Sequence, residues 1–128
     1  MTFRGDGTVC SVWADEGPVV CIGWLDGSQQ FESGEVSEEF ASALSRACRE
    51  PVRVTRGWHR CPFCRDAVVG GTRVRDADGE FLVGHAEIRV RDRDGFVYAA
   101  PDMVIHYVLE HGYLPPGAFQ AAVIEAGR

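Results

Sequence analysis

The chain has 128 residues, 45% of them hydrophobic and 25% charged, with a formal net charge of −6. That length suits one domain spanning residues 1–128 with a true core. The mixture is that of an ordinary globular protein, and no stretch is long and apolar enough to cross a bilayer. The acidic total works against general polyanion binding, because affinity for phosphates grows with the cations that displace counterions.

The opening Met1-Thr-Phe-Arg-Gly-Asp-Gly lacks an apolar segment followed by small residues, so no secretory signal and a cytoplasmic location are expected. Strands are predicted over Thr8–Trp13, Val19–Leu25 and Gln29–Glu32, an antiparallel β-meander broken by Asp15-Glu16-Gly17-Pro18 and by the hairpin signal Asp26-Gly27. Ser37 stands at an N-cap, with Glu38 and Glu39 in the first turn. Phe40, Leu44 and Cys48 then share one face of a helix from Ser37 to Arg49. Pro51 ends it, and Val52–Arg56 alternates as a short strand. Strands follow over Thr72–Arg75 and Phe81–Arg91 about the turn Asp76-Ala-Asp-Gly79, then over Phe96–Ala100 after Asp94-Gly95. Pro101-Asp102 opens a helix with little polar face, which Gly112 closes. Pro115-Pro116 starts a last helix carrying Phe119, Ala122, Val123 and Ala126 on one stripe.

The chemistry gathers at Cys61-Pro-Phe-Cys64. Two thiolates at C-x-x-C spacing, with His106 and His111 at H-x4-H spacing, supply the four soft or borderline donors of a closed tetrahedral Zn²⁺ site. The 41 residues between Cys64 and His106 exclude a short zinc finger, so such a site joins distant segments. Five residues along an ideal helix advance about 140° beyond a full turn, so the two imidazoles converge only if the last turn tightens at Gly112. Glu110, His59 and His85 are the alternative ligands.

Other chemistry competes. Cys61-Pro-Phe-Cys64 also resembles the active-site motif of glutaredoxins, a dithiol oxidoreductase signature, but a meander and one helix precede it in place of a βαβ unit. Asp76-Ala-Asp78-Gly79-Glu80 with Glu87 imitates a calcium loop, yet Phe81 occupies the position that needs glycine. Between Arg49 and Arg93 ten Arg face seven Asp or Glu, about +3, which leaves about −9 for the remainder. Arg53, Arg56, Arg60 and Arg65 bracket Trp58 and Phe63, a pattern that could bind nucleic acid but reads more simply as a solvated face around the knuckle. Cys10, Cys21 and Cys48 lie on apolar patterns and read as small buried hydrophobes.

The run from Tyr98 to Phe119, with its ending H-Y-V-x-x-H-x-Y-x-P-P-x-x-F, follows Cys61-Pro-Phe-Cys64 and Gly84-His-Ala-Glu-Ile88. Together these resemble a group of small uncharacterised bacterial proteins, over roughly Gly57 to Val123. The resemblance implies that Cys61, Cys64, His106 and His111 act together, and it carries no activity. His85-Ala86 ahead of Glu87 departs from the group's strand pattern. The absence of Lys fits the coding bias of a high-GC bacterial genome. The expectation is therefore an α+β fold: a β-meander plus helix, then zinc-knuckle hairpins packed on two C-terminal helices. Its function would be non-enzymatic, an interaction or regulatory module with a structural zinc. The partner would be another protein, meeting the face near Trp58, Arg60 and Phe63.

Overall fold

Ser37 begins the first helix as its sequence requires. In extended conformation, its Oγ accepts the Phe40 N–H at 3.1 Å, capping α1 (Glu38–Arg49). Glu38 and Glu39 occupy the first turn and Arg46 and Arg49 the last, each complementing the helix dipole. The inward stripe is Phe40, Ala43, Leu44 and Cys48, all buried. Ser37→Ala should cost about 1 kcal/mol, read as a lower denaturant midpoint at unchanged slope; an unmoved midpoint would show that the cap contributes nothing.

The computed structural model describes residues 5–10, 18–54, 57–64 and 71–128. Its strands are β1 (Val9–Cys10), β2 (Val19–Cys21), β3 (Arg53–Val54), β4 (Thr72–Asp76), β5 (Gly79–Val83), β6 (Ala86–Arg91) and β7 (Val97–Pro101). Five of them form one sheet in the order β1-β2-β7-β6-β3, while β4 and β5 form a separate hairpin. Every residue of β7 is buried, as its Val-Tyr-Ala-Ala-Pro run demands of a central strand. With α2 (Val104–His111) and α3 (Gly117–Ala126) the fold is α+β. Helix α1 packs against both α3 and α2, and α1 and α3 both reach β6. Phe119 meets Phe40 and Tyr98 edge-on, with ring centroids 6.2 and 5.8 Å apart. Among the described residues no helix is long and apolar enough to cross a membrane.

Three expectations about the strands are corrected. The N-terminal third is not a meander: β1 and β2 pair antiparallel, but the other edge of β2 runs parallel to β7, with Val19 opposite Val97 and Cys21 opposite Ala99. A parallel partner needs a long crossover, and here the crossover contains most of the chain. Gln29–Glu32 forms no strand. The Asp26 carboxylate accepts the Ser28 N–H and Oγ–H at 2.9 and 2.6 Å, setting a turn, and Ser33 then bridges to Tyr113.

The predicted strand Phe81–Arg91 is two strands, broken at Gly84 with φ 117°. A Cβ there would lie 2.9 Å from the His59 carbonyl oxygen, so only glycine fits. The parts of Thr8–Trp13 and Val52–Arg56 that fall on 11–13 and 55–56 lie outside the described residues.

Candidate metal centre

Cys61 and Cys64 flank a tight turn through Pro62 and Phe63, where the Phe63 N–H donates to Cys61 Sγ at 3.4 Å. His106 lies inside α2 and His111 is its last residue. The four donor atoms all lie within 4.8 Å of one another, so the group could hold a metal ion. Cys61 Sγ is 3.3 Å from His111 Nε2, and Cys64 Sγ is 3.3 Å from His106 Nε2 and 3.4 Å from His111 Nε2. The two Nε2 atoms are 3.2 Å apart. For an ion about 2.3 Å from sulfur and about 2.05 Å from nitrogen, a regular tetrahedron has edges of about 3.6 Å (S to N) and about 3.3 Å (N to N). The observed edges match within a few tenths of an ångström.

The five-residue spacing of the histidines is accommodated at the helix end. Gly112 adopts a left-handed conformation at φ 68°, ψ 21°, and its N–H reaches back to the Tyr107 carbonyl, as does that of Tyr113 at 3.1 Å. His111 is thereby held at the negative end of the helix dipole, where a cation is favoured. Phe63 backs the site, packing edge-on against Phe31 at 5.2 Å and Tyr107 at 5.7 Å and lying 5.5 Å from the His111 ring. Tyr113, fully buried, extends the same cluster and donates its hydroxyl to Asp6 Oδ2 at 2.6 Å.

Burial first, and the neighbouring His111 second, lower the His106 pKa and keep its imidazole neutral, the form that ligates. Burial pushes the Cys61 thiol up to about 11. A metal must therefore expel a proton from Cys61 at neutral pH, so affinity should rise with pH, by up to about tenfold per unit from this one thiol. Titrations with a competing chelator from about pH 6 to pH 8 would measure that slope, and a flat profile would contradict the thiolate role.

The alternative ligands lie elsewhere. Glu110 is exposed and outside the four-donor group. The His59 N–H donates to the Gly84 carbonyl at 2.7 Å, and burial lowers its imidazole pKa. His85 lies tilted against Trp58 with centroids 4.2 Å apart and brings Nδ1 to 3.6 Å from Asp102 Oδ2. Asp102, 1% exposed, does more than open a helix. Its Oδ1 accepts the Gly84 N–H at 2.8 Å, tying the turn between β5 and β6 to the start of α2.

The calcium-like run is a hairpin: Asp76 pairs with Arg49 and accepts the Asp78 N–H. Cys48 is buried and free, as expected, whereas Cys21 is buried but disulfide-bonded, correcting its reading as a simple hydrophobe. Of the Arg-rich face, Arg56 and Arg65 lie outside the described residues. Trp58 and Arg60 are exposed, but Phe63 is half-buried in the aromatic cluster. No local pattern marks that cluster as a unit, since Phe31, Phe63, Tyr107 and Tyr113 come from four separate segments.

A family described as Domain of unknown function (DUF7919) matches residues 2–124. No curated protein and no solved structure matches the chain.

Proposed function

The chain belongs to the DUF7919 family, and from the geometry of its Cys/His cluster we propose that it is a single-domain, non-enzymatic zinc protein in which Cys61, Cys64, His106 and His111 hold a structural Zn²⁺. The observation that carries this reading is that two sulfurs and two nitrogens lie within 4.8 Å of one another, four of their six separations being 3.2–3.4 Å, close to the edges of a zinc tetrahedron. That donor set is the one zinc prefers in closed sites, where no position is left for water or substrate. The ion pins the mid-chain turn to the end of α2 and so organises folding.

The role is that of an interaction or regulatory module whose partner is another protein, met through the exposed Trp58 and Arg60 beside the knuckle. One feature weighs against a dithiol oxidoreductase: its attacking thiol needs a depressed pKa, whereas burial raises that of Cys61. Nucleic-acid binding is disfavoured by the net charge of −6.

Elemental analysis of chain purified without added metal tests the reading. About one zinc per chain is expected, competing out only with strong chelators. Substoichiometric metal that zinc salts cannot bring to saturation would end it.

A further inference from the structure

We infer that this centre is also a peroxide-responsive switch, in which Cys64 is oxidised first, Cys61 resolves it as a Cys61–Cys64 disulfide, and the metal leaves. The inference rests on the reading of the four residues as a zinc site and adds a regulation to it.

The argument starts from unequal access. Three described cysteines are free: Cys64 is exposed, Cys61 is 8% exposed and Cys48 is 1% exposed. A bound cation keeps a cysteine sulfur as thiolate, and the thiolate is the form that peroxide attacks. Of these sulfurs only that of Cys64 combines ligation with solvent access. The resolving thiol is already in place, because the two Sγ atoms lie within 4.8 Å and only two residues separate them in one turn. Closing a disulfide to about 2.05 Å therefore needs a rotation within the turn, with no shift of a distant element. Cys48 is sealed in the core and takes no part.

The chemistry balances. The Cys64 thiolate attacks hydrogen peroxide, the O–O bond breaks, and Cys64 becomes a sulfenic acid as hydroxide departs. The Cys61 thiolate then attacks the Cys64 sulfur, forming the S–S bond and expelling the second hydroxide. Two thiolates are oxidised by two electrons and one peroxide is reduced. Two imidazoles alone remain, too few to retain the ion against solution competitors. The turn is then unpinned from the end of α2, and Phe63 is free to leave Phe31 and Tyr107, uncovering an apolar surface that the metal-loaded form hides.

The test uses the full, zinc-loaded chain treated with hydrogen peroxide beside a chromogenic zinc indicator, with a dimedone-type sulfenic acid trap and peptide mass mapping. Expected are release of about one zinc per chain, a Cys61–Cys64 disulfide, and trap adduct on Cys64 about tenfold over Cys61. A dithiol reductant plus zinc should reverse the release, and Cys48→Ala should behave like the parent chain. Zinc held through a treatment that oxidises free glutathione in the same tube would overturn the switch alone. So would release accompanied by sulfinic acids in place of the disulfide, or by a disulfide involving Cys48. A chain that takes up no zinc before any peroxide is added would overturn the zinc reading itself, and the switch with it.

Discussion

Stripping the metal with a strong chelator is expected to lower the melting temperature by at least about 10 °C. A ligand at a thousandfold its Kd adds about 4 kcal/mol to a fold, and in a domain of this size each kcal/mol moves the midpoint by roughly 3–5 °C. Structural zinc in small peptides binds with roughly 10–16 kcal/mol, comparable to the whole stability of a typical domain, so the true loss can be far larger. The effect should concentrate in the C-terminal half, because a metal held by the four donors would fasten the Cys61–Cys64 turn to α2, which packs on α1 and buries Val104, Ile105, Tyr107 and Val108.

Cys64→Ala is the informative substitution. Its side chain is exposed and packs little, so its removal should reproduce the chelated parent, and chelator should then have no further effect on the variant. A parent chain that melts at the same temperature with and without chelator would remove zinc from the stability account.

Gly84→Ala is the second large effect, at about 3 kcal/mol or more. The backbone there has φ 117°, which costs an L-residue about 1–2 kcal/mol. The added Cβ would also meet the His59 carbonyl oxygen at 2.9 Å, a backbone atom that cannot swing aside. Relief by movement would break the 2.7 Å bond from the His59 N–H to the Gly84 carbonyl, or the 2.8 Å bond from the Gly84 N–H to buried Asp102, each worth about 1 kcal/mol or more. Gly79→Ala is the matched control, since Gly79 has φ 116° with nothing within 4 Å of the added atom. It should lose only the conformational part, and equal losses in denaturant melts would refute the steric argument.

Gly84 also shows where sequence reasoning could have gone further. Phe81 and Val83 face inward at odd positions, whereas Ala86, Ile88 and Val90 do so at even ones. A strand cannot change parity without a break, so the interruption at Gly84-His85 is written in the pattern. Local signals were otherwise legible: Ser37 as cap, Asp76–Gly79 as hairpin turn, the apolar girth of α2, and Gly112 as the device that lets His106 and His111 converge.

What depended on distant partners was not legible. Nothing near Val19 announces that its neighbour is Val97, because a parallel pairing is chosen by global packing and leaves no turn residues to mark it. Phe31 misled in the opposite sense. Its β-forming character suggested a strand, while its ring serves the cluster behind the knuckle.

The pairing of β2 with β7 has a consequence for how the polypeptide is made. Between Cys21 and Val97 lie 75 residues, which a ribosome adds in roughly 4–15 s at 5–20 residues per second. Throughout that interval the nascent N-terminal strands have no neighbour on their inner edge, and both imidazole donors are still untranslated. The amino-terminal segment should therefore stay protease-sensitive on stalled ribosomes until β7 has cleared the exit tunnel, and become protected only when that late strand slots beside it.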